Sequence, residues 1–186
     1  MPISTGEARR IASQWHSGQS TALYEFTSSG IIASHSRLLA EIDSDLAGTI
    51  DDADAAVELR ALQQWVTARD AERQQLLADI LIGAVEGGTG YWATVSDYHH
   101  TGPPAETSAT LHEIEPGDEE HPGGREVTTE TIEEGIQKIL NPYFRVCTHL
   151  RAAITHAHNE GDACSLDAEA ADAVVQAGLF GEIVYG

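Results

Sequence analysis

Residues 76–98 read LLADILIGAVEGGTGYWATVSDY, and the fold class turns on how that stretch divides. Leu76, Leu77, Ile80, Leu81, Ala84 and Val85 recur at three- and four-residue intervals, the spacing of one helix face. Beyond Glu86 the period changes. Two glycines lead into Tyr91, Trp92, Thr94, Val95 and Tyr98, a run rich in aromatic and β-branched side chains that suits a pleated strand. The stretch predicts a central core helix from about Asp70, stopped by Gly87 in a left-handed conformation, and then a helix-to-sheet corner at Tyr91 and Trp92.

Downstream, TSATLHEIE (107–115) reads as the antiparallel partner, giving a strand pair over 91–115 with His99 and His100 in its exposed connection. An acidic loop spans 116–126, and Val127 marks a short third strand. Helices follow over 129–180. Thr129 or Thr131 caps one bearing Ile132, Ile136, Ile139 and Leu140. Asn141 and Pro142 end it and start the next, which carries Leu150, Ile154 and Ala157 and closes at Gly161; the last begins near Asp167. Upstream, over 4–86, Ser4 and Glu7 form a capping pair ahead of Ala8, Ile11 and Ala12. A short helix from Ser20, a third holding Ile31, His35, Leu38 and Ile42, a break at 43–52 and a fourth holding Leu59, Leu62 and Val66 complete that half. The fold class is α+β and mainly helical: a helical bundle with a small two- to three-stranded antiparallel sheet inserted mid-chain, in one domain over 1–186.

At 186 residues the chain can bury a sizeable core without disulfides or a structural metal. Its charge is the outlier: thirty acids against ten bases leave −20, and Lys138 is the one lysine. Such a field repels nucleic-acid phosphates and anionic membranes and attracts basic protein surfaces. Direct nucleic-acid binding and membrane binding are therefore disfavoured. Cys147 and Cys164 have no metal-ligand spacing, and no signal-peptide pattern or bilayer-length apolar run occurs, so the chain reads as a soluble cytoplasmic protein.

Several motifs suggest chemistry. DSDLAGTIDDAD (43–54) resembles an EF-hand loop, with Asp43, Asp45, Asp51 and Asp54 as calcium ligands and Gly48 at the turn. Ala47 removes one ligand and Asp54 replaces the bidentate glutamate, which favours an acidic interhelical loop. His156 and His158 lie on helix positions that point apart, and favourable placement near a helix C-terminus accounts for them. GGTG (87–90) follows a helix, the reverse of a phosphate-binding loop, and no GxSxG elbow is present. No cofactor is implied.

Three stretches carry a resemblance: WHSGQSTALYEFTSSG from Trp15, EGGTGYW from Glu86 and AADAVVQAGLFGEIVYG from Ala170. They are similar to an uncharacterised family of small proteins carried by bacteriophages, plasmids and high-GC bacteria, with W-H-x-G-Q, E-G-G-x-x-Y-W and F-G-E-[IV]-V-[YF]-G landmarks. The resemblance implies a mobile-element protein that acts on a host system. Together with the charge, it points to a non-enzymatic acidic binding protein, an inhibitor or DNA mimic directed at a host defence or DNA-processing protein. Glu113, Glu115, Asp118, Glu119, Glu120, Glu130, Glu133 and Glu134 are the candidate partner-binding acids. Two alternatives stand beside it. One is an enzyme or ligand-binding protein with a pocket lined by Tyr91, Trp92, Tyr98, His99 and His100; the other is an assembly protein whose GLFGEIVYG segment packs on a second copy.

Overall fold

A computed structural model describes residues 3–15, 35–48, 53–101, 107–114 and 124–186. Among these the architecture is mainly helical α+β, with six helices and one three-stranded antiparallel sheet in mid-chain. No helix among them is long and apolar enough to cross a membrane. The predicted helix from Ser20 and the residues Ile31 and Asp51 lie outside the described residues.

The chain divides into two compact units, Met1–Ala71 and Glu72–Gly186. The first contains α1 (Thr5–Trp15), α2 (His35–Gly48) and the start of α3 (Ala53–Gly83). The hydroxyl of Ser4 accepts the Glu7 amide at 3.2 Å, so the predicted cap forms, although the Glu7 carboxylate turns to Arg10 instead of closing the box. Ala8, Ile11, Ala12, Leu38, Ile42, Leu62, Trp65 and Val66 make the apolar core of this unit. Helix α2 runs through Asp43 and Asp45 to Gly48, where the sequence suggested a break from residue 43. Helix α3 is continuous over 31 residues in place of two helices parted near Asp70. The reason is that no glycine or proline stands between Ala53 and Ile82. What reads as a boundary is Arg69 and Arg73 interrupting the apolar stripe between Val66 and Leu76.

In the second unit Leu76, Leu77, Ile80, Leu81 and Ala84 are buried as the opening stretch predicts. The helix does not stop at Gly87. Its last turn widens into a π-helical turn over Ala84–Gly88, and a short tight turn over Thr89–Tyr91 delivers Trp92 to the sheet. Gly88 has φ −95°, so no left-handed cap operates here. A glycine is needed for another reason: a Cβ at Gly88 would lie 2.6 Å from the Ala168 carbonyl oxygen and 2.9 Å from Asp172 Cβ.

The sheet has the order β1 (Ala93–His100), β2 (Thr107–Glu113), β3 (Arg125–Thr128). Ala93 pairs with Glu113 and Val95 with Leu111; then a bulge at Asp97, φ +48°, shifts the register so that His99 pairs with Ser108 and His100 with Thr107. The two histidines thus belong to a strand, not to the connection. Ala93, Ala109, Leu111 and Val127 are buried in the same core as Ile132, Ile136 and Ile139 of α4 (Thr129–Leu140). Thr128 caps α4 with Thr131 as its reciprocal partner, one residue before the expected cap. Asn141 ends α4, but Pro142 sits in a turn and α5 (Thr148–Glu160) begins only after Cys147. Gly161 closes α5 at φ 72°.

Asp167 caps α6 (Ala168–Phe180) by accepting the Ala170 amide at 2.8 Å. Every residue from Ala170 to Ala177 is buried. Helix α6, rather than α3, is therefore the helix enclosed on all sides, the arrangement expected of one with small apolar residues around its circumference. It meets α4 backbone to backbone: a Cβ at Gly135 would be 2.0 Å from the Val174 carbonyl, and one at Gly178 would be 2.3 Å from the Thr131 carbonyl.

Candidate functional site

The corner singled out in the sequence and the end of α6 form one polar and aromatic cluster inside the second unit. Gly88 lets the chain pass against α6, which places Tyr91 and Trp92 beside Asp172 and Gln176. Asp172, 4% exposed, accepts from the Trp92 indole at 2.8 Å through Oδ1, and from the Tyr91 hydroxyl at 2.9 Å and the Gln176 amide at 2.7 Å through Oδ2. Burial raises the Asp172 carboxyl above its ordinary value, and the three donors oppose that shift. Burial, with the Asp172 carboxylate beside it, pushes the Tyr91 hydroxyl up to about 12. A buried carboxylate in these surroundings satisfies the rule that buried polar groups find partners.

Gln176 extends the cluster to the segment after α6. Its Oε1 accepts the amides of Val184 and Tyr185, each at 2.8 Å, and its Nε2 donates to the Tyr185 carbonyl at 3.0 Å. The Tyr185 ring stacks on Trp92 with centroids 4.9 Å apart and an interplanar angle of 4°, and Phe180 meets both rings edge-on. The Tyr185 hydroxyl donates to Glu113, which also receives Arg125 Nε at 3.3 Å, and the Arg125 guanidinium lies over the Phe180 ring. Tyr91 and Trp92 of the predicted pocket are thus both present, but Trp92 is covered by Tyr185. Tyr98, His99 and His100 lie further along β1, and His100 meets Thr107 Oγ1 at 3.0 Å. Asp172, Gln176, Tyr185 and Arg125 escaped the sequence reading; the signal available was a carboxylate and a carboxamide four residues apart in a helix whose other residues beyond Glu169 carry no polar side chain.

The candidate acids part into two groups. Glu113 is held by Arg125 and Tyr185, and Glu133 accepts from Arg73 Nε at 2.8 Å and from Gln137 at 2.9 Å. Glu130 and Glu134 are exposed one turn apart on α4, after the exposed Glu126 of β3, and Lys138 Nζ lies 3.7 Å from Glu134. Glu115, Asp118, Glu119 and Glu120 lie outside the described residues. For the calcium reading, Asp43 and Asp45 stand on a helix, which is not the loop an EF-hand needs, and Asp43 accepts from Gln63 at 2.6 Å. Asp54 opens α3. Among the described residues no group of three or more His, Cys, Asp or Glu side chains could hold a metal ion.

His158 has a more specific role than a favourable helix end. Its Nδ1 is 2.9 Å from Arg73 Nη1. Arginine only donates, so Nδ1 carries the lone pair and the ring is neutral with its proton on Nε2. Burial and Arg73 lower its pKa from 6.5, and Glu133 opposes them.

No protein-family model, no curated protein and no solved structure matches the chain.

Proposed function

We propose that the protein is a non-enzymatic acidic binding protein that docks on the basic surface of another protein. The observation that carries the reading is the direction in which the bases of the second unit turn. Arg73 and Arg125 bind Glu133 and Glu113, and Arg151 donates to the carbonyls of Ile139, Asn141 and Phe144. Lys138 Nζ donates to the Gly178 carbonyl at 3.0 Å. With so few bases, and all of those in the second unit but the exposed Arg145 tied to the fold, the surplus of acids presents outward as net negative potential. Glu126, Glu130 and Glu134 are the acids best placed for it, while Glu113 and Glu133, also assigned to a partner from sequence, are paired with Arg125 and Arg73. On this reading the host partner is a protein whose basic groove ordinarily meets nucleic acid, and the resemblance to mobile-element proteins supplies the setting.

The test is capture from the lysate of the bacterium that carries the chain. The expected partner is basic, is released as salt rises, is displaced by duplex DNA, and is lost with the Glu126→Gln, Glu130→Gln, Glu134→Gln triple variant. Capture indifferent to salt, DNA and these substitutions would exclude the reading.

The corner supports ligand chemistry less well, because both oxygens of Asp172 and both polar atoms of Gln176 already have partners within the fold.

A further inference from the structure

The contacts between α6 and residues 184–185 are those of peptide recognition. Gln176, 1% exposed, bonds two successive amides and one carbonyl of the segment through its one carboxamide. Main-chain bonds of that kind give affinity without regard to sequence, and side-chain pockets add the specificity. The pocket here is the slot over the Trp92 face, walled on one side by the edge of Phe180, which takes the Tyr185 ring, with Glu113 at its end to accept the hydroxyl. Arg125 holds Glu113 in place.

The segment itself is a strap. Gly181, at φ 75°, ends α6, and residues 182–186 have no helix or strand of their own. Glu182, Val184 and Gly186 are exposed, so the half-buried Ile183 and Tyr185, with the backbone of 184–185, do the holding. Segments with few buried contacts open at lower free energy than the core that supports them.

We propose that this slot is a binding site for a short peptide bearing a tyrosine, held shut in cis by residues 182–186. The ligand is a protein segment with an apolar residue two positions before its tyrosine, matching Ile183 in packing and Tyr185 in backbone bonds, ring and hydroxyl. The tethered strap competes at an effective concentration on the order of millimolar, so the native chain excludes a free peptide at micromolar concentration. This site does not depend on the acidic surface.

The test uses the full chain carrying Tyr185→Ala and a fluorescein-labelled GEIVYG peptide, followed by anisotropy. The folded variant is expected to bind the peptide saturably and at least about tenfold more tightly than the native chain does. It is expected to ignore GEIVAG, and Gln176→Ala added to it abolishes binding. No saturable binding by the folded variant, or equal binding of GEIVAG, overturns the proposal. Should Tyr185→Ala fail to fold, hydrogen exchange of the native chain decides. The Val184 and Tyr185 amides are expected to exchange at least about tenfold faster than those of Val174 and Val175. Equal protection would mean that the slot never empties, and the proposal falls.

Discussion

Trp92 and Asp172, 80 residues apart in sequence, meet at 2.8 Å through the indole N–H and Oδ1. That bond leaves Oδ2 to Tyr91 and Gln176, so the carboxylate works only as an acceptor. In Asp172→Asn an amide nitrogen at the Oδ2 position would face the Gln176 nitrogen. Gln176 cannot flip to relieve the clash without releasing Val184 and Tyr185. A loss of about 1–3 kcal/mol is expected, read as a lower urea midpoint at unchanged slope.

Glycine substitutions separate close packing from backbone freedom. Gly88→Val is expected to lose at least about 1–3 kcal/mol because its side chain meets the Ala168 carbonyl, although the backbone there is not left-handed. Gly135→Ala and Gly178→Ala, at the α4–α6 contact, are expected to cost as much or more. Gly90→Ala meets nothing within 4 Å and serves as the neutral control. Thermal unfolding of the four variants ranks them.

Stability is expected to depend on pH through His158. Its folded pKa lies below 6.5, so the unfolded chain binds the proton more readily. The His158 contribution is complete above about 6.5 and is lost progressively as pH falls from there toward the folded pKa. Asn at this position can still accept from Arg73 but does not titrate, so His158→Asn flattens the pH profile just below 6.5. Asp172 acts with the opposite sign. Its raised pKa gives a contribution that is complete below 3.8 and is lost as pH rises through the folded value. Denaturant midpoints from about pH 3 to about pH 8, a range that brackets both ordinary pKa values, distinguish the two.

Thr89 is fully buried, and its hydroxyl has no hydrogen-bond partner among the described residues. Replacing that hydroxyl with a methyl group keeps the β-branched shape and removes an unpaired polar atom. Thr89→Val is therefore expected to raise stability by about 1 kcal/mol, measured by the same urea titration.

Much of the helical scaffold is legible because its signals are local. Leu76 to Ala84 declare their face by spacing, Ser4 and Asp167 cap as their side chains dictate, and Gly161 ends a helix in the conformation that glycine permits. Period and β-branching likewise mark all three strands to within a few residues. The errors arise where a local signal has two meanings. Arg69 and Arg73 look like a helix boundary and are an interruption within one helix. Gly87 and Gly88 look like a cap and are a place of close approach.

The candidate site was only half visible. Tyr91 and Trp92 stand out by size, whereas Asp172 and Gln176 lie four residues apart in a helix and gain meaning only from what the fold brings to them. The sequence by itself determined the element types, the sheet in mid-chain and the excess of negative charge, because backbone propensity, apolar period and composition are properties of neighbours or of sums. Tertiary structure alone decided that α6 is the enclosed helix, that Glu113 and Glu133 pair with Arg125 and Arg73, and that Tyr185 closes over Trp92. Those outcomes depend on long-range burial, which selects partners by space and charge across many residues and leaves no period in the chain.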